Sequence, residues 1–140
     1  EEMCVGPGRN AMDEGEFLVS IKLPLKNSSF SASYERFIPR NEMDIAVAAV
    51  ASSVSLEDGK VSSCRIALAA VGPTPIFAEE ASKFLIGKEP SEENIKNASS
   101  KAKELASPIS DMRGTVEHRK DLIEVLTRRT LSKAVERVGV

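Results

Sequence analysis

Few residues in this chain are of a type and spacing that could carry out chemistry. The one histidine, His118, lies in a charged stretch, Glu117-His118-Arg119-Lys120-Asp121. A histidine beside a carboxylate can move protons. No serine or cysteine stands by it in a nucleophile setting, however, and the stretch reads as the solvated face of a helix. Cys4 and Cys64 are far apart, and with one histidine they fall short of the three or four ligands a zinc or iron site needs. No metal site is expected. The two cysteines read as buried, reduced thiols, with a disulfide between them as the alternative. Val5-Gly6-Pro7-Gly8-Arg9-Asn10 lacks the lysine and hydroxyl of a P-loop and the third glycine of a dinucleotide fingerprint, so it reads as a turn. Asp111-Met112-Arg113-Gly114 offers Asp111 either as a helix cap or as an ion-pair partner for Arg113. Arg128-Arg129 is a solvated face or a contact for an acidic partner surface. No catalytic residue is expected, and the chain should bind or support something rather than react alone.

Composition narrows the classes further. The 140 residues suit one compact domain with a short extra segment at one end. Aromatic residues make up only 4%, too few for a surface that stacks bases or sugars. With 19 basic and 21 acidic residues and no run of five like charges, there is no field to steer nucleic acid or an anionic membrane. No apolar run approaches the ~20 residues that span a bilayer, and the acidic start is unlike a signal peptide. A cytoplasmic location is expected. The absence of an initiating methionine suits a piece of a longer protein.

Those residues must be positioned by strands first and helices after. Phe17 to Leu23 alternates apolar and polar residues, which predicts a half-buried strand ended by Pro24. Lys26 to Ser29 is a polar loop, and Phe30 to Ile38 a second extended stretch stopped by Pro39. Asp44–Leu56 and Val61–Val71 flank the turn Glu57-Asp58-Gly59-Lys60, which predicts a hairpin. Past Gly72–Pro75 the period becomes helical. Ala78–Leu85 forms a helix with Ala81, Phe84 and Leu85 inside and Gly87 as its stop. Ser91 caps a second, with Ile95, Ala98, Ala102 and Leu105 inside. A third runs from Val116 to Val138. The fold class expected is α+β, an antiparallel sheet of three to four strands followed by a three-helix layer packed on one face.

Four stretches in order carry a family resemblance. Tyr34 to Ala46, YERFIPRNEMDIA, resembles the Tyr-x-(Lys/Arg)…Arg…Asp-Ile-Ala signature of flavoprotein subunits in the carbon monoxide dehydrogenase and xanthine dehydrogenase group of molybdenum hydroxylases. Gly72 to Gly87, Pro108 to Arg119 (PISDMRGTVEHR) and Leu122 to Ala134 are similar to later segments of the same family. Upstream, Val5 to Pro24 resembles the tail of the preceding FAD-binding domain. His118 stands where relatives often carry tyrosine, Phe77 where they often carry a basic residue, and Asn10 and Ala11 near the usual threonine.

The resemblance implies residues 1–29 as the tail of an FAD-binding domain and 30–140 as the flavoprotein C-terminal domain. It implies FAD held mostly by an upstream domain, with molybdenum cofactor and iron–sulfur clusters in partner subunits, a large and a small one. Electrons would pass from the clusters to the flavin and on to an outside acceptor. Two positions are implied as flavin contacts. Arg36 matches a basic residue, often lysine, that approaches the ring, and Leu18 an apolar residue packed near it. The rival from another class is a non-catalytic interaction or assembly module that keeps the fold.

Overall fold

The computed structural model describes residues 3–23, 28–40 and 43–138. A short hairpin comes first, β1 (Cys4–Gly6) with β2 (Arg9–Asn10), closed by the turn expected at Pro7–Gly8. Then follows a four-stranded antiparallel sheet in the order β3 (Phe30–Phe37), β4 (Ala48–Glu57), β5 (Lys60–Ala69) and β6 (Ile76–Phe77). Three helices complete the chain: α1 (Glu79–Leu85), α2 (Glu92–Leu105) and α3 (Val116–Glu136). The α+β architecture read from the sequence is the one observed.

The β4–β5 hairpin turns on two residues, Asp58 (φ 50°) and Gly59 (φ 75°). Positive φ at both central positions gives the turn twist that matches paired strands, and Asp-Gly tolerates it. Along β4, Ala48, Val50, Ser52 and Val54 are buried; along β5, Val61, Cys64, Ile66 and Leu68 are. These side chains meet the helices. α3 lies across β3 and β4, α1 covers β5, and α2 packs against α1 and α3. Ile66, Leu68, Leu85, Ile123 and Leu131 are fully buried, each worth roughly 1.5–3 kcal/mol of transfer free energy.

Side chains and loops bind the sheet margins at a few points. The Ser82 hydroxyl accepts from the Ile66 N–H (3.0 Å) and donates to the Ala78 carbonyl (2.7 Å), pinning α1 to β5. Gly87, in the left-handed region at φ 79°, donates its N–H to Val61 and so carries the chain from α1 back onto β5. At the other edge, Arg137 reaches the Ala32 carbonyl.

Three expectations are corrected here. Phe17–Leu23 forms no strand: Phe17, Val19, Ile21 and Leu23 are all at least 74% exposed. Alternation supplies an apolar face, but no strand pairs with this segment among the described residues, and an unpaired strand leaves its backbone groups to water. β4 starts at Ala48 rather than Asp44, because β3 ends at Phe37 and offers nothing further to pair with. Leu105, expected inside α2, is 38% exposed at its last position. Pro24 and the first half of the loop at Lys26–Ser29 lie outside the described residues.

Candidate functional site

Side chains alternate across a strand, so the sheet face turned away from the helices is set by the register. Ala32, Tyr34 and Arg36 of β3 stand opposite Ser53, Ala51 and Ala49 of β4, which stand opposite Arg65, Ala67 and Ala69 of β5. Phe77 of β6 follows beside Ala67. The centre of this face is floored by alanine and serine, with larger residues at the margins. Tyr34, 61% exposed, overlooks a shallow hollow of about 420 Å³ that also includes Ala51, Arg65 and Ala67. On the far side the Arg65 guanidinium lies 4.3 Å from the centre of the Phe77 ring. Beyond it, Met3 and Cys4 of the first hairpin help enclose a second hollow of about 290 Å³.

Arg36 projects from this open face near the end of β3. It is exposed, and among the described residues no carboxylate pairs with it. Leu18 sits elsewhere, 59% exposed in the extended segment after the hairpin, where it borders a hollow with Met3 and Met12. Arg36 does not line the hollow that Leu18 borders. Tyr34 and the Arg65–Phe77 stack were not singled out as site residues from the sequence; the register of β3, β4, β5 and β6 is what places them on one face.

The end of β3 is gripped from behind by the start of α3. Arg119, only 5% exposed, donates from Nη1 to the Val47 carbonyl (3.0 Å) and from Nη2 to Asp111 Oδ1 (2.7 Å). Val47 in turn donates its N–H to the Phe37 carbonyl at 2.9 Å. The His118 ring meets the Phe37 ring edge-on, centroids 6.0 Å apart. His118 is therefore exposed, as expected for a helix face, but it also packs on the residue next to Arg36. The Arg113 N–H and then the Arg119 guanidinium hold the Asp111 carboxyl below the usual aspartate range. Asp111 does not cap α3, and its side-chain ion-pair partner is Arg119, not Arg113. Thr115 is the cap, accepting from the His118 N–H, and Ser110 accepts from the Val116 N–H. At the base of the β3–β4 connection, burial pushes the Asp44 carboxyl up, but Arg40 and the Ile45 N–H outweigh it and leave it lowered.

The remaining sequence-level candidates separate. Both cysteines are free thiols; Cys64 is buried as expected, whereas Cys4 is exposed, a correction that follows from its place on a solvent-facing two-strand hairpin. Arg128 and Arg129 are exposed on α3. Among the described residues no group of three or more His, Cys, Asp or Glu side chains converges as a metal site would require, and no helix is long and apolar enough to cross a membrane.

A model of the CO dehydrogenase flavoprotein C-terminal domain matches residues 33–134, from the middle of β3 to near the end of α3. The chain belongs to that family. It is 33% identical over 127 residues to the carbon monoxide dehydrogenase medium chain of Afipia carboxidovorans, covering 91% of this chain and 44% of that protein. To the xanthine dehydrogenase FAD-binding subunit of Escherichia coli O157:H7 it is 26% identical, covering 96% of this chain and 46% of that one. The structure of reconstituted CO dehydrogenase from Oligotropha carboxidovorans superimposes with a TM-score of 0.91 at 32% identity, over 97% of this chain and 47% of that chain. The chain thus spans about half the length of the curated relatives it matches.

Proposed function

We propose that this chain is the C-terminal domain of the FAD-carrying medium subunit of a molybdenum hydroxylase, and that its open sheet face helps form the flavin site. Residues 1–29 then belong to the tail of an FAD-binding domain, and residues 30–140 to the C-terminal domain. The observation that carries the reading is Arg36. It is an exposed cation on the open face of a domain whose relatives include an FAD-binding subunit, and no described carboxylate neutralises it.

The residues suit one part of the cofactor and not the rest. Ala51 and Ala67, exposed on the same face as Arg36, leave room for a flat ring to approach the sheet, and a guanidinium at its margin favours the reduced, negatively charged ring. Nothing among the described residues could cradle a pyrophosphate: Gly6 and Gly8 sit in a hairpin turn, not at a helix start. FAD is accordingly held mainly by an upstream domain. Leu18 belongs to the exposed apolar segment that would pack near the ring once that domain covers it. When bound, FAD takes up electrons and passes them to an outside acceptor. In this reading a large and a small partner subunit carry the molybdenum cofactor and the iron–sulfur clusters, in a cytoplasmic complex.

The test is Arg36→Ala in the full FAD subunit, with the flavin midpoint potential read by spectroelectrochemistry. Loss of the cation should lower the two-electron potential by about 30 mV, a tenfold change in the ratio of reduced to oxidised flavin. Unchanged potential and FAD affinity would remove Arg36 from the site.

A further inference from the structure

The segment Pro108 to Arg119, which carries part of the family resemblance, has no role in the face just described. Its geometry supplies one. Arg119 is the one buried residue with a charged side chain among those described, and taking a guanidinium out of water costs several kcal/mol before its partners repay it. Those partners are few. Five N–H donors meet two acceptors, Val47 O and Asp111 Oδ1, and the buried Nε has none. Stability alone is poorly served by such a group, since apolar side chains of similar volume usually do as well. A rigid planar fork instead joins two loops at a fixed distance and angle.

The joined loops are the entrance to β4 and the turn before α3. Asp111 is held in that turn by the Arg113 N–H at 2.8 Å and by reciprocal backbone bonds between Asp111 and Gly114. Gly114 is small for a reason: a Cβ there would lie 3.1 Å from the His118 ring and 3.7 Å from Val47. Val47 passes the constraint to Phe37 through its N–H, and His118 braces the Phe37 ring. Arg36 is the next residue along β3, on the opposite face, paired with Ala49.

We infer that Arg119 is a positioning residue for Arg36: with Asp111, Gly114 and His118 it clamps the Phe37–Val47 junction from behind the sheet and so fixes where Arg36 points on the flavin side. This rests on the assignment of Arg36 to the flavin site. The clamp touches neither flavin nor substrate. It acts by removing backbone freedom at the one strand end where a charge must be aimed.

The experiment uses the full FAD-loaded subunit and four variants: Arg36→Ala, Arg119→Lys, their combination, and Asp111→Asn. Arg119→Lys keeps the charge and loses the fork, so a change in potential cannot come from charge removal. The expected result is a fall in the flavin potential with Arg119→Lys, in the direction of Arg36→Ala, by about threefold in the reduced-to-oxidised ratio or ~14 mV. In the Arg36→Ala background Arg119→Lys should add nothing. Asp111→Asn, which weakens one prong and leaves Arg119 in place, should give a smaller fall and serves where Arg119→Lys does not retain FAD. A wild-type potential in both clamp variants, with Arg36→Ala shifted and only thermal stability lowered, would show a purely structural Arg119 and overturn the inference. So would a shift that persists in the double variant. If Arg36→Ala itself leaves the potential unchanged, the flavin assignment fails first, a pattern distinct from the other two.

Discussion

Thr127 and Thr130 lie one turn apart on α3, both fully buried against the sheet, and the same substitution should move stability in opposite directions at the two sites. The Thr127 hydroxyl has no hydrogen-bond partner among the described residues, whereas that of Thr130 meets Ser52 Oγ at 2.7 Å, Leu126 O at 2.9 Å and Thr127 O at 3.2 Å. Valine matches threonine in shape and closely in helix propensity, so Thr→Val isolates the hydroxyl. An unpaired buried hydroxyl costs ~1–3 kcal/mol, so Thr127→Val should stabilise by about 1 kcal/mol after incomplete relaxation. Thr130→Val loses a hydrogen bond worth ~1 kcal/mol and leaves the buried Ser52 hydroxyl short of its partner, for a loss of about 2 kcal/mol. In a chain of this size those changes correspond to a midpoint roughly 3 °C higher and 6 °C lower. Urea unfolding followed by circular dichroism, with the slope checked for constancy, reads both. A loss above about 0.5 kcal/mol for Thr127→Val would mean that an ordered water satisfies the hydroxyl, and the argument from an orphaned group would be wrong.

Other expectations concern groups whose environment is equally explicit. Burial pushes the Cys64 thiol up to about 12, so a thiol reagent at pH 8 should label Cys4 in the native protein and Cys64 only as the chain unfolds; equal native rates would contradict the packing of β5. Lys103 bridges α2 to Asp121 and Glu124 on α3 and holds both carboxyls below their usual 3.8 and 4.5. Folded pKa values below the unfolded ones mean that this stabilisation is present above about pH 4.5 and is lost as pH falls through the folded values. Asp121→Asn with Glu124→Gln should therefore flatten the acid limb of a stability profile measured at pH 2–6, and an unchanged limb would show the bridge contributes nothing. Gly59→Ala places a Cβ at φ +75° with open space around it, so only backbone strain is added, about 1 kcal/mol by urea midpoint. The exposed stripe Phe17, Val19, Ile21 and Leu23 should make the 140-residue chain bind a hydrophobic dye, and Val19→Lys with Ile21→Lys should abolish most of that signal.

What could be read from the sequence divides along a physical line. The β4–β5 hairpin was legible because Asp58-Gly59 forces a two-residue turn and the flanking runs then pair with their nearest neighbours. The start of α2 at Ser91 was legible because capping is decided within four residues, whereas α3 is capped by Thr115 and not by the Asp111 offered from the sequence. The same local rules misread Phe17–Leu23, where alternation is real but the pairing partner is not among the described residues. They also missed the polar seam of Ser31, Ser33, Ser52, Thr127 and Thr130 between sheet and α3, since small hydroxyl residues show no period that distinguishes buried from exposed.

The candidate site follows the same division one level higher. Arg36 could be named from the Tyr34–Ala46 motif, but its importance as an uncompensated charge depends on which carboxylates stand near it, and that is a property of the folded sheet. Arg119 is the sharper case. In the string Glu117-His118-Arg119-Lys120-Asp121 it looks like one more solvated charge. Helical spacing, though, puts it four residues before Ile123, on the stripe that α3 buries. A charged residue at a core position demands fixed partners, and here the partners lie 8 and 72 residues away. The cost of burying it is met by joining two chain segments that no local rule would bring together, beside the strand end that presents Arg36. Read in this way, the spacing from Asp111 to Arg119 within PISDMRGTVEHR is a distance constraint: the turn at Gly114 and one helical turn bring the carboxylate and the guanidinium face to face, and a residue inserted between Gly114 and Arg119 would rotate the guanidinium away from both acceptors.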